Sequence, residues 1–189
     1  DLGTGKTATA ITAGGAVSCA LLSDGTTKCW GSNDSGTLGQ GDTSKRGDNP
    51  EEMGDNLLPI DLGSGRTATV VATDGDGACA LLDDGSIKCW GGNTNGGAGY
   101  GTTGYIGHEP GEMGDNLPVV DLGTGKTATA ISTAINGSCA ILNDGTVKCW
   151  GNSGYGELGQ GHRGEFGWFT QGGQPGEMGD NLPTVDLGS

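Results

Sequence analysis

Six cysteines are the residues of this chain whose type and spacing best define a chemistry. They form three pairs with the same ten-residue offset: Cys19 and Cys29, Cys79 and Cys89, Cys139 and Cys149. Zinc ligand pairs usually stand about two to four residues apart, and neither histidine of the chain recurs with the cysteines. Disulfides are therefore favoured over a zinc site. Free thiols in a reducing compartment remain the other alternative, ahead of zinc.

Hairpin geometry explains the ten-residue offset. If residues 23–25 (SDG) form a type I turn closed by a left-handed glycine, the register places Cys19 opposite Cys29. These cysteines then occupy a non-hydrogen-bonded pair, where Cα atoms are about 4.5 Å apart, within the disulfide range of about 4.4–6.8 Å. The same register is available around residues 83–85 and 143–145. We predict one disulfide within each hairpin, and an oxidising compartment.

The cysteine hairpin belongs to a longer repeat. The segment CALLSDGTTKCWG returns as CALLDDGSIKCWG and as CAILNDGTVKCWG, and the phrase DLG recurs at intervals of 60, 60 and 65 residues. We predict three repeats, at residues 1–60, 61–120 and 121–185, with residues 186–189 beginning a fourth. Units of this size bury a core only by stacking against their neighbours.

Alternating apolar residues predict short strands and an all-β fold of tandem four-stranded, blade-like repeats. The expected first strands are residues 7–12, 67–72 and 127–132, followed by the two hairpin strands, at 18–22 and 26–30 in the first repeat. A fourth strand is expected at 57–62, 118–122 and 183–187. In the second strand of the first hairpin, we expect the aliphatic part of the Lys28 side chain to cover apolar surface while its ammonium group stays in water. Glycine-rich connections at 32–56, 92–116 and 152–181 vary most between copies, which is typical of recognition loops.

Charge and hydropathy exclude several function classes. The formal net charge is −14, and the nine lysines and arginines form no basic stripe, so we expect no nucleic-acid partner. No apolar stretch is long enough to span a bilayer, so we expect no membrane insertion. We also expect no cofactor. GTGKT at residues 3–7 imitates the end of a phosphate-binding loop, but β-like alternation follows it instead of a helix, and Arg66 replaces the lysine in the second repeat.

The repeats resemble those of the regulator of chromosome condensation family. The shared pattern is an apolar strand, a DG turn, a strand ending in WG and a glycine-rich segment, here SNDSGTLGQG, GNTNGGAGYG and NSGYGELGQG. The second copy lacks the leucine of this segment, with Ala98 in its place. The resemblance implies a β-propeller, usually of seven blades, which three repeats cannot close. Either flanking repeats or further copies of the chain would close the ring, or the repeats would stack as an open array.

Function is expected to reside in the loops carried by this scaffold. We predict a non-enzymatic extracellular or cell-surface repeat protein that binds a protein or glycan, or assembles with copies of itself or flanking repeats into a larger structure such as a filament. A secreted enzyme is the alternative. Asn33 and Asn136 match the N-glycosylation pattern. The aromatic residues Phe166, Trp168 and Phe169 are a candidate contact surface. TDGDGA at residues 73–78 is interpreted as a turn rather than a calcium loop.

Overall fold

A computed structural model describes residues 1–135, 137–161 and 170–188 of the chain. The predicted all-β class is confirmed, and within the described residues the helical structure consists of 3₁₀ turns at Gly54–Asn56, Gly114–Asn116 and Gly179–Asn181. In the described part of the chain, no helix has the length and apolar character needed to cross a membrane. The strands in chain order are β1 Ala8–Gly14, β2 Val17–Leu22, β3 Thr27–Gly31, β4 Ala68–Thr73, β5 Gly77–Leu82, β6 Ile87–Gly91, β7 Ala128–Ala134, β8 Gly137–Leu142, β9 Val147–Asn152 and β10 Thr170–Gln171.

Each repeat forms one antiparallel sheet, with strand orders β1-β2-β3, β4-β5-β6 and β10-β9-β8-β7. The hairpin register is the predicted one, with Cys19 opposite Cys29 and Leu21 opposite Thr27. The turn is also as predicted: Gly25 N donates to Leu22 O at 2.9 Å, and Gly25 has a φ of +80°. Only glycine adopts this backbone conformation without strain.

The predicted fourth strand does not form a ladder at the expected positions, and in the third repeat it is reduced to an isolated bridge between Thr184 and Lys148. Each segment instead donates one backbone hydrogen bond of 2.8 Å to the start of the third strand, from Ile60 N to Thr27 O, Val120 N to Ile87 O and Val185 N to Val147 O. A proline in each segment has no N–H to extend the pairing. The other end of the third strand pairs with a different part of the connection. Gly31 bridges Arg46, Gly91 bridges Ile106, and in the third repeat the pairing lengthens into β10.

The hydrophobic cores lie between the repeats. One cluster combines Leu21 and Leu38 of the first repeat with Val71 and Trp90 of the second. A second cluster joins the second and third repeats in the same way, with Leu81 and Ala98 against Ile131 and Trp150. The disulfide faces of the first and second hairpins therefore pack against the following repeat, which explains why a single repeat has no core of its own.

Candidate binding surface

The cysteines of the first two hairpins form part of these inter-repeat cores. Their Cα atoms are 4.1 Å apart in the pairs Cys19–Cys29 and Cys139–Cys149 and 4.0 Å apart in Cys79–Cys89, with each pair joined at disulfide distance. These separations are slightly shorter than the roughly 4.5 Å of an ordinary non-hydrogen-bonded pair. Three such pairs are consistent with an oxidising compartment.

A buried lysine fixes the start of each repeat to its own 3₁₀ turn. Lys28 Nζ donates to Leu2 O at 3.0 Å and to Gly54 O at 2.8 Å. Lys88 and Lys148 make the equivalent pairs of bonds, and all three side chains are buried. The expectation that this charge would stay in water is wrong, because two backbone carbonyls replace the solvent. Burial lowers the pKa of Lys148. The recurrence of a lysine directly before the second cysteine in all three copies was the signal in the sequence.

A carboxylate of the 3₁₀ turn also binds the start of the same repeat. Asp55 accepts hydrogen bonds from Thr4 N at 2.8 Å and from Thr4 Oγ1 at 2.7 Å, and these bonds lower its pKa. Ser64 with Asp115 and Thr124 with Asp180 repeat the arrangement. In the first repeat, the segment that resembles a phosphate-binding loop therefore binds a carboxylate of its own chain.

The side chain of Asn33 is fully buried and organises the connection that follows the hairpin. Its Nδ2 donates to Asp42 O at 2.7 Å and to Ser44 O at 3.1 Å, while Oδ1 accepts from Leu38 N at 2.9 Å. Nδ2 is the atom that would carry a glycan, so glycosylation of Asn33 would require this loop to open. Asn136, the other predicted acceptor, lies outside the described residues.

The remaining predicted sites have simpler placements. Phe166, Trp168 and Phe169 lie outside the described residues. The TDGDGA segment forms a turn in which Asp74 Oδ1 accepts the backbone N–H groups of Asp76 and Gly77, each at 2.8 Å. In the second connection, His108 Nδ1 lies 3.0 Å from Glu112 Oε2, and that carboxylate oxygen also accepts the N–H groups of Gly107 and Glu109.

Two equivalent grooves occur where consecutive repeats meet, with volumes of about 360 Å³ and 260 Å³. We call them the junction grooves. In each, a glycine-rich segment of the connection and an exposed apolar residue face a proline and a methionine of the next repeat. The first groove contains Leu58, Pro110 and Met113, and the second contains Val119, Pro175 and Met178. Sequence reasoning located the variable connections but missed the grooves, because their walls come from two repeats.

The junction grooves are apolar with one acidic position each. Asp61 is the charged residue in the described lining of the first groove, and Asp121 is its counterpart in the second. Tyr100 lines the second groove, where its hydroxyl donates to Cys89 O at 3.0 Å and accepts from Cys89 N at 2.8 Å. Burial raises the pKa of this phenol. The grooves therefore offer apolar contact together with attraction for a cation.

Comparison with solved structures shows a shared fold. Human WBSCR16 is 19% identical, with a TM-score of 0.65, over 96% of this chain and 38% of that one. Prp20p from Saccharomyces cerevisiae, a protein with binding properties toward Gsp1p and histones, is 18% identical with a TM-score of 0.64, over 98% of this chain and 40% of that one. A structure of Kap60 bound to yeast RCC1 (Prp20) is 18% identical with a TM-score of 0.60, over 86% and 34%. The chain thus spans well under half the length of these proteins.

The family comparison identifies the repeat itself. The model of the regulator of chromosome condensation (RCC1) repeat matches residues 8–37, 64–96 and 130–157. Each matched segment contains the cysteine hairpin and the beginning of the glycine-rich connection, the same residues that carry the sequence resemblance. The chain is therefore built from three repeats of the regulator of chromosome condensation family, folded as propeller-type blades.

Proposed function

We propose that the chain is a non-enzymatic, extracellular or cell-surface repeat scaffold that binds a protein partner along its junction grooves. The observation that carries this proposal is the repetition of one groove at successive junctions, each with an exposed apolar side chain at its rim, Leu58 or Val119. A row of equivalent grooves suits a polypeptide that places apolar side chains at regular intervals. In this proposal, the repeats that form the grooves are residues 1–60, 61–120 and 121–185.

Charge defines the chemistry of the partner. The chain carries a formal net charge of −14, and the described lining of each groove includes an aspartate and no lysine or arginine. A partner segment with apolar residues next to lysine or arginine would gain both apolar contact and electrostatic attraction. A glycan would instead require several polar groups converging on each sugar. The polar side chains that the two linings share are one glutamine and one aspartate each, among proline, methionine and glycine residues, so a protein partner is favoured.

The compartment is supported by the three cysteine pairs, each at disulfide distance. Disulfides persist in oxidising environments such as the extracellular space and are rare in the cytosol. Small glycine-rich repeats benefit from such links, since each closes a short loop and stabilises the fold by about 3 kcal/mol.

Site-specific photo-crosslinking tests the groove directly. A photoreactive amino acid at Val119, in the native extracellular fraction, should give a discrete adduct with one polypeptide. Ile135 is an exposed apolar residue outside the described groove linings, so the same probe at this position is the matched control. Adducts at Ile135 but not at Val119 would contradict the proposal.

The alternative functions give different results. Glycan binding by the intact protein that is lost in Val119→Asp would replace the protein partner with a sugar. Catalytic turnover that is lost in Asp121→Asn, with folding unchanged, would favour the secreted enzyme.

A further inference from the structure

The two junction grooves differ most in chemistry at one position of their linings. This position lies between two glycines in each groove, and it is Gln40 in the first and Tyr100 in the second. The other residues are alike in kind: an aliphatic residue beside a proline, an aspartate, and a proline, a glycine and a methionine from the next repeat. Gln174 also lines the second groove. The second groove thus has an aromatic residue that the first groove lacks.

Hydrogen bonds hold the Tyr100 side chain in one orientation. Its hydroxyl donates to Cys89 O at 3.0 Å and accepts from Cys89 N at 2.8 Å, and the side chain packs against both inter-repeat cores. Because the hydroxyl is bonded to the backbone of β6, the ring is the part of this side chain that can face the groove. A ring that is already fixed binds a ligand without losing rotamer freedom.

A glutamine at the same position leaves the groove without this ring. Gln40 Nε2 donates to Leu58 O at 3.1 Å, so the amide reaches the rim of the first groove. In the third repeat, Gln160 Nε2 donates to Cys149 O at 3.2 Å, which is one of the two bonds that Tyr100 makes in its own repeat. The fold therefore accommodates either residue, and a glutamine can replace Tyr100 without removing every bond to the hairpin.

A carboxylate lies in the same groove as the ring. Asp121 is exposed, and its Oδ1 accepts Gly123 N at 2.9 Å. The face of an aromatic ring attracts cations, and a planar guanidinium can stack on a ring and also hydrogen-bond to a carboxylate. The formal net charge of −14 adds a general attraction for cations. In the first groove, Asp61 supplies the carboxylate but no aromatic ring accompanies it in the described lining.

We propose that Tyr100 makes the second junction groove selective for an arginine side chain of the protein partner, and that the first groove lacks this selectivity. The guanidinium stacks on the Tyr100 ring and pairs with Asp121. This inference rests on the proposed function and deepens it, because a partner with an arginine at one of its two contact points binds the row of grooves in a single direction.

Methionine methyl groups report on the two grooves separately, since Met113 lines the first and Met178 lines the second. In nuclear magnetic resonance spectra of the oxidised chain with isotope-labelled methionine methyl groups, Nα-acetylarginine amide should shift the Met178 signal in a saturable way. The Met113 signal should respond less. Nα-acetylcitrulline amide, which has the same shape without the charge, is the control probe and should bind more weakly than the arginine probe at Met178.

Three substitutions test the ring itself. Tyr100→Gln introduces the residue of the other two repeats and should weaken binding of the arginine probe at Met178 by about threefold or more. Tyr100→Phe keeps the ring and loses the hydroxyl, so it should bind the probe more tightly than Tyr100→Gln. The reciprocal variant Gln40→Tyr should give the Met113 signal a stronger response to arginine. Circular dichroism should show unchanged folding in each variant.

The outcomes that overturn the arginine selectivity are distinct from those that overturn partner binding. Equal responses of Met113 and Met178, equal binding of the two probes, or unchanged affinity in Tyr100→Gln would overturn the selectivity. A photo-crosslinked adduct at Val119 without preference for the arginine probe would keep the protein partner and overturn the selectivity. Selective binding of the arginine probe without an adduct at Val119 would support the arginine site and contradict the proposed partner.

Discussion

At the scale of single residues, buried polar side chains set the shape of the connections. Asn33 and Asn93 each accept a backbone N–H at 2.9 Å, from Leu38 and Ala98 respectively. Ser153 stands at the same position of the third repeat, fully buried, and its Oγ finds no partner among the described residues. Burying a polar group without a hydrogen bond costs about 1–3 kcal/mol, so these asparagine amides stabilise the first two connections.

Substitutions at this position should have opposite effects in different repeats. Asn33→Ala should lower the free energy of unfolding by about 2–3 kcal/mol, since it leaves the backbone groups of the loop without partners. Ser153→Asn should raise it by about 1 kcal/mol, because the amide can restore the bond to the backbone. Urea denaturation of the two variants beside wild type measures both changes. Destabilisation by Ser153→Asn would contradict the expectation that an asparagine at this position makes the same backbone hydrogen bond as Asn33 and Asn93.

Acid should weaken the fold through the carboxylates that bind threonine or serine. Hydrogen bonds lower the pKa of Asp55, Asp115 and Asp180 below the ordinary value of 3.8. A lowered pKa in the folded state stabilises the fold fully above the unfolded value, and this stabilisation is lost as pH falls toward the folded value. The melting temperature should therefore drop below about pH 4. A triple Asp→Asn variant should melt lower at neutral pH and lose less on acidification; an identical acid profile would exclude these carboxylates as the cause.

At the scale of elements, local geometry decided what could be predicted from the sequence. The register of Cys19 against Cys29 depends only on the turn between them, and the structure has that register. The fourth strand depended on a distant segment, and there the edge of β3 is shared by Arg46 and Ile60. The carbonyls that bind the Lys28 ammonium were equally hidden, because Leu2 and Gly54 are each 26 residues away along the chain.

The tryptophan at the end of the third strand should stabilise the fold most where its indole packs against, and hydrogen-bonds to, the preceding repeat. Trp90 Nε1 donates to Thr37 O at 2.8 Å across the first junction. Trp90→Phe should lower the free energy of unfolding by about 1–2 kcal/mol, through the lost hydrogen bond and the smaller ring. Trp30 is the matched control, because it is partly exposed on the leading face of the first repeat. Urea denaturation at low protein concentration should show a clearly smaller effect for Trp30→Phe; equal effects would contradict the role assigned to the junction.

At the scale of the whole molecule, three small sheets become one structure through the interfaces between them. The residue pattern along β2 and β3 indicated that both faces of the hairpin are at least half buried. Which segment packs against each face could be learned only from the structure. The junction grooves arise from the same packing, since the walls beside Leu58 and Val119 come from two repeats. Stability and the proposed partner binding thus both depend on how one repeat meets the next.

The disulfide within each hairpin is the central claim, because both the stabilisation of the repeat and the assignment of the protein to an oxidising compartment rest on it. Non-reducing peptide mapping of the protein purified from its native source tests it most directly. We predict three linkages, Cys19–Cys29, Cys79–Cys89 and Cys139–Cys149, at full occupancy. Free thiols in the native protein, or a linkage between cysteines of different repeats, would contradict both the stapled repeat and its assignment to an oxidising compartment.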